Sequence, residues 1–410
     1  MEFQTFTEAH GFVKPDVEKP VMPRHETLKN GATFRAFPEH QPDGTFTNIF
    51  DVSYDPLCVQ TELCVLSQPE SIFRLMQHTA VPYTAMSSCG FFFLADQYSS
   101  QPRQISLNLA MSEGRIYSLP VADGEVLLCQ GGKLEARTIR AMGGLILNGA
   151  YLSWTGSRTT REANCYIYGN GNSVIRHRAD HDRGSIRELE DTSTLTPPLD
   201  ADSELVDVGF TSIGSNVFKG MRSKKGGLDI FSHDLVVRCP ERYIHPSTSA
   251  IHETPLLRIA TVDSLNIRKL DGAVSVGPQL ADNNIEQHPV NKDPSLGSKP
   301  PFVMRRMARM ALYQTTRGLV HIRLYDGIVG SEQFPGVTPN EVVQNIVQED
   351  AIAWGCFLDP GKTSKLCVRT EAEVESHGNR DYIRWPNKPG GPFTWQRQAG
   401  RAVSSYIGLL

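Results

Sequence analysis

FLDPGKTSK, residues Phe357–Lys365, decides between two kinds of fold. The Gly361-Lys362-Thr363 triplet follows an apolar run, as the end of a phosphate-binding P-loop does. A P-loop needs G-x-x-x-x-G-K-[ST] and then a helix whose N-terminus holds the phosphates. Five positions before Gly361 stands Cys356, with Gly355 one place out of register. Pro360 removes an amide and stiffens a loop that would have to wrap phosphate. KLCVR, which follows, alternates as a strand does. The stretch therefore predicts strand, tight polar turn, strand, and speaks against a nucleotide triphosphatase. Asp-Pro-Gly is also ordinary turn vocabulary, so a plain hairpin turn is the simple alternative.

Working outward, AIAWGCFL before the turn reads as a buried strand. FPGVTPNEVVQNIVQED predicts a helix with Thr338 as N-cap, Pro339 at the first helical position and Glu341 completing a capping box. Val342, Val343, Ile346 and Val347 give that helix one apolar stripe. ALYQTTRGLVHIRLYDG predicts two strands around a turn at Thr316–Gly318. Further upstream, from about residue 58, CVQTELCVL, GFFFLAD, QISLNLAM, GRIYSLPV and GEVLLCQ are short apolar runs separated by Gly, Asp and Pro. DLVVRC and LLRIATV continue the pattern, while 169–205 and 282–300 are polar loops. The expected fold class is α+β, with mixed sheets and few helices. Its expected parts are an irregular N-terminal arm over 1–54, a core over 55–375 with a polar insertion near 155–250, and a C-terminal extension over 376–410.

Composition narrows the function classes. Of 410 residues 40% are apolar, enough for a sizeable core. Lysine and arginine total 41 against 45 acidic residues, a net charge of −4, which gives no reason to expect nucleic acid as a partner. No apolar run reaches the length of a membrane helix, and the first residues carry neither the basic nor the apolar part of a secretory signal. A cytoplasmic location is expected. The eight cysteines contain no CxxC pair, which argues against a zinc cluster and for buried, reduced thiols. His177 and His181 in VIRHRADHDRG have metal-ligand spacing, but Arg176, Arg178 and Arg183 crowd them, so a solvated charged segment is expected and no metal site is assigned.

The order of the elements carries more than any one of them. Ser88-Cys89-Gly90-Phe91-Phe92, Gly277-Pro278-Gln279-Leu280, Arg309-Met310-Ala311-Leu312-Tyr313, Pro335-Gly336 with Thr338–Glu341, and Leu358–Ser364 follow one another over residues 80–370. In that order they resemble the phosphodiester glycosidase family, which removes N-acetylglucosamine from a phosphodiester. The chain departs from the family pattern at Ser88 (asparagine there) and at Cys89, Tyr313 and Pro360 (glycines there). Asn148-Gly149-Ala150-Tyr151 is a second candidate for the early motif.

The resemblance implies cleavage at the anomeric carbon of a sugar–phosphate phosphodiester. That reaction forms an oxocarbenium-like centre and expels a phosphate monoester. It needs a cation on the phosphate, a role that suits the planar fork of arginine, and a carboxylate near the sugar carbon. Arg309 and Asp359 are the catalytic candidates. Ser88, Gly90, Arg306, Gly361, Lys362, Thr363 and Ser364 are the substrate-binding candidates. No cofactor is expected, and the involvement of a divalent ion is left open. The expected partner is a small-molecule or glycan sugar phosphate. Two other functions fit the same residues: a non-catalytic carbohydrate- or nucleotide-binding module, and an enzyme acting on another anionic substrate.

Overall fold

The computed structural model describes residues 19–95, 103–106, 109–120, 123–155, 166–169, 196, 199–200, 203–214, 217–224, 226–228, 233–244, 255–280, 305–328, 331–378, 382–384, 394–396 and 401–410. The strand pairs among them are antiparallel, and two α-helices accompany the sheets, so the fold is α+β as expected. The first helix, α1, spans Ile72–His78. The second, α2, spans Pro339–Glu349, and Thr338 and Glu341 form the capping box that the sequence predicted. No described helix is long and apolar enough to cross a membrane.

Alternating apolar positions on the strands give each sheet its buried faces, and four clusters stack the sheets. A six-stranded sheet, a five-stranded sheet that ends the chain, and a second five-stranded sheet share one core around Phe50, Leu127, Leu312 and Ile407. α2 covers the other face of the six-stranded sheet, where Val342 and Ile346 meet Tyr313, Tyr325 and Phe357. α1 packs on the C-terminal sheet through Ile72 and Met76. A seven-stranded sheet, all of its strands drawn from residues 142–262, lies against the second five-stranded sheet through Leu145, Val208, Phe210 and Ile259. Its Asp207 sits opposite Arg238 in the ladder; Arg238 donates to it at 2.6 and 2.8 Å, and Thr196 adds a third bond at 2.6 Å.

Two expectations change. Residues 24–54 are not an irregular arm: Arg24–Thr27, Thr33–His40 and Phe46–Tyr54 are strands, and the last pairs with Val320–Tyr325 inside the six-stranded sheet. Pro38, which suggested a loop, lies beyond the stretch that pairs with Arg24–Thr27, so its missing amide breaks no ladder on that side. Val403–Leu409, read as part of an extension, is a strand between Ala85–Ser88 and Thr61–Glu70. The hairpin Arg309–Thr315 with Val320–Tyr325 and the strand Ile352–Phe357 lie where the pattern put them. VIRHRADHDRG lies outside the described residues.

Candidate active site

The opening stretch is neither a P-loop nor a hairpin. Ile352–Phe357 pairs with Arg309–Thr315 in the six-stranded sheet, whereas Lys365–Arg369 pairs with Ala85–Ser88 in the C-terminal sheet. Residues Leu358–Ser364 therefore carry the chain from one sheet to the other. Gly361 takes φ +74°, a left-handed conformation that strains other L-residues, and Gly361–Thr363 form a single 3-10 turn. The turn amides are already bonded within the protein: Asp359 N–H to Cys89 O at 2.9 Å, Gly361 N–H to Ala308 O at 2.8 Å and Ser364 N–H to Gly361 O at 3.1 Å. These three amides are therefore not free to cradle phosphate.

The same bonds bring three distant segments together. Leu358 N–H donates to Met310 O at 3.0 Å, one step past the pair Ala311↔Phe357, which brings the start of Arg309–Thr315 up to the turn. Ser88 accepts from Lys365 N–H at 3.1 Å. Its hydroxyl lies 3.4 Å from both Met310 Sδ and Lys365 O. Gly90 N–H donates to Ser405 Oγ at 2.9 Å. A Cβ at Gly90 would lie 3.0–3.1 Å from Ser405, Ser275 and Val274, which explains the glycine.

The two catalytic candidates face different surroundings. Burial raises the Asp359 carboxyl to about 7; the Thr363 hydroxyl and the positive charge of Arg401 oppose that rise without cancelling it. Asp359 itself is half-buried, open enough on one side for solvent to reach. Arg309 is 2% exposed and donates to Arg305 O at 2.7 Å and Val337 O at 3.4 Å. Burial pulls its pKa below the ordinary arginine value, and a guanidinium so placed keeps its charge at neutral pH. The cation that acts on Asp359 is thus Arg401, while Arg309 ties the Arg305 and Val337 carbonyls together.

The substrate-binding candidates divide likewise. Thr363 and Ser364 are buried; Thr363 donates to Pro360 O at 3.0 Å, and Ser364 lies 3.3 Å from Ala308 O and Asp359 O. Lys362 is the middle residue of the turn. Arg306 is drawn away from the turn: it donates to Gly336 O at 3.3 Å and bonds the Glu341 carboxylate that caps α2. Gly277-Pro278 joins from another side, with Gly277 N–H on Phe357 O at 2.6 Å and Phe357 N–H on Pro278 O at 3.0 Å.

Arg401, Ser405 and Lys365 belong to this crossing and were not selected from the sequence. Lys365 is 2% exposed, an unusual position for a lysine. The signal for all three is pairing between strands more than 270 residues apart, which local patterns do not carry. A second polar cluster was also missed. Asp51, fully buried, accepts from Arg35 at 2.6 Å, lies 3.1 Å from His321 Nδ1 and 3.4 Å from Arg323 Nε. Arg323 in turn bonds Glu349 at 2.8 Å and Asn345 at 3.2 Å on α2. Burial would raise the Asp51 carboxyl, but Arg323, then His321 and Arg35, outweigh it and hold the group well below the usual carboxylate range.

No family model matches the sequence, and no curated protein matches it significantly. Solved structures do share the fold. A hypothetical protein from Synechocystis superposes with a TM-score of 0.52 at 12% identity, over 96% of this chain and 64% of that one. This chain therefore spans slightly less than two thirds of that protein. A candidate exported protein of Burkholderia pseudomallei gives 0.52 at 13% identity, over 89% and 74%. The catalytic domain of zebrafish N-acetylglucosamine-1-phosphodiester alpha-N-acetylglucosaminidase, solved auto-inhibited by its pro-peptide, gives 0.34 at 11% identity, over 97% and 84%. At these identities the likeness to the first two concerns the fold alone, and at a TM-score of 0.34 the third carries no argument.

Proposed function

We propose that the protein hydrolyses, or transfers the sugar of, a sugar–phosphate phosphodiester at the anomeric carbon, with Asp359 as the working carboxylate. The observation that carries this reading is the convergence of residues 85–92, 305–313 and 357–365 on one inter-sheet crossing around a half-buried carboxyl raised to about 7. A carboxyl titrating near the working pH can take a proton from water as it attacks. In hydrolysis the bond between C1 and the phosphate oxygen breaks, and the leaving oxygen keeps the electron pair as a phosphate monoester. Water supplies a hydroxyl to C1, and its proton passes to Asp359. Cations on the phosphate side would lower the cost of the departing charge, and Arg401 and Arg309 are the arginines proposed for it.

One observation favours the non-catalytic binding module instead. The Arg309 guanidinium is buried on backbone carbonyls, so it meets a phosphate only by releasing them. The assay that separates the two readings is release of free sugar from a sugar-1-phosphodiester, with monoester release scored separately. The hydrolase reading expects turnover in the wild type and a fall of orders of magnitude in Asp359→Asn with little change in substrate affinity. Saturable binding without turnover in the wild type gives the binding module. Arg309→Lys keeps the charge without the fork; loss of roughly 1–3 kcal/mol in ligand affinity places Arg309 on the phosphate.

A further inference from the structure

A cavity lined from the second five-stranded sheet and the seven-stranded sheet has the makings of a second site. It holds about 320 Å³ and is lined by Met111, Gly114, Ile116, Val217, Arg258, Ile267 and Arg268. That volume is at the lower end for a small organic ligand. Met111 and Ile116 come from the edge of the second five-stranded sheet, on the strands Ala110–Ser112 and Arg115–Ser118. Val217 and Arg258 are directly paired in the seven-stranded sheet. Ile267 and Arg268 start the 3-10 turn that leads back to the first of these sheets. None of these residues belongs to the inter-sheet crossing that carries Asp359.

Its chemistry is two-sided. Met111, Ile116 and Ile267 are buried and give an apolar floor, while Arg258 and Arg268 are exposed at the mouth. Neither guanidinium makes a side-chain hydrogen bond or ion pair with a described residue. The neighbouring Arg115 differs, since it pairs with Asp234 at 3.3 Å and lies over the Tyr117 ring. Protein surfaces usually set arginines beside carboxylates or spread them apart; two unpaired forks over an apolar hollow match a ligand with the complementary pattern. Gly114, with φ +74°, turns the chain without a side chain at the rim, which leaves the hollow open.

We infer that this cavity binds a small organic anion whose apolar body fills the hollow and whose carboxylate, sulfonate or phosphate group sits between Arg258 and Arg268. The probe is 8-anilinonaphthalene-1-sulfonate, whose emission rises and shifts to the blue in an apolar site. Its neutral counterpart, N-phenyl-1-naphthylamine, keeps nearly the same body without the charge. The wild-type chain is expected to bind the sulfonate saturably at one site. The Arg258→Ala, Arg268→Ala double variant should weaken it about tenfold or more, on the scale of one lost charge-assisted contact. Val217→Trp should abolish binding by filling the hollow, and the neutral probe should bind the wild type and the double variant alike. Both arginines are exposed, so the double variant is expected to keep the wild-type thermal midpoint and near-ultraviolet circular dichroism. The inference is overturned by equal sulfonate affinity in the wild type and the double variant, by an unaltered site in Val217→Trp, or by no saturable binding to the wild type.

Discussion

Asp51 lies on a central strand of the six-stranded sheet, whereas Asp359 stands just past the end of that sheet's edge strand Ile352–Phe357. Asp51, in the middle of Phe46–Tyr54, is ringed by Arg35, His321 and Arg323, and its carboxyl is held well below the ordinary range. Asp359 lies two residues after the end of Ile352–Phe357, where the Thr363 hydroxyl and the Arg401 charge lower its carboxyl less than burial raises it, to about 7. Desolvation acts on both; the partners decide the sign. A carboxylate that is fully paired has nothing left to offer a substrate and serves the fold. One that is left under-paired at a chain crossing is costly to the fold, and it keeps its proton near neutral pH, where proton transfer is useful. On the proposed function, stability and chemistry fall to different aspartates.

The largest expected effect breaks the paired side. Asp51→Ala removes the buried carboxylate from Arg323 and leaves it only the partly exposed Glu349 among described carboxylates, and should cost about 3–5 kcal/mol in chemical denaturation. A loss below about 1 kcal/mol would show that the network is not structural. The pH dependence follows from the depressed carboxyl. Its contribution is present above the unfolded value near 4 and is lost as the pH falls from there, so Asp51→Ala should flatten the acid limb of the stability curve.

Asp359→Asn should act in the reverse sense and less strongly. The native state favours the protonated acid, so wild-type stability falls as the pH rises from about 4 to about 7. The amide cannot ionise, and the variant should gain on the wild type across that window by about 1–2 kcal/mol, after allowance for the side that water reaches. Equal pH dependence of the two proteins would place Asp359 among ordinary turn residues. Gly361→Ala probes the backbone beneath it: at φ +74° an L-residue should cost roughly 1–2 kcal/mol. The smallest effect belongs to Arg401→Ala. Removing that charge should move the acid limb of the pH–activity profile upward by a fraction of a unit, and a downward move would contradict the placement of Arg401 beside Asp359.

How much of this was readable from sequence depended on how local the signal is. The capping box, the apolar stripe of α2 and the hairpin before it are encoded within a few residues, and the structure has them at the predicted positions except for Val347, which the stripe included and the structure leaves exposed. The misplaced glycine of the Gly-Lys-Thr triplet was likewise enough to exclude a P-loop. The order of the motifs selected the three segments that meet, but not the directions of their side chains. The start of Arg309–Thr315 lies by the turn that carries Asp359, but nothing in Arg309-Met310-Ala311 shows that the arginine fork turns to the Val337 carbonyl. Asp51 was hidden because proline and charge around it looked like a loop, and two of its partners, His321 and Arg323, stand about 270 residues away. Arg401 was hidden for the same reason, since only the pairing of Val403–Leu409 between two early strands brings it to the crossing.

The contrast between the two aspartates is tested most directly by a carbon-13 NMR titration of the side-chain carboxyls, with Asp51→Asn and Asp359→Asn used to assign the signals. The account predicts that the Asp359 signal titrates near pH 7 while the Asp51 signal stays ionised down to the acid unfolding transition. An Asp359 midpoint near 4, the value of an ordinary solvent-exposed aspartate, would contradict it.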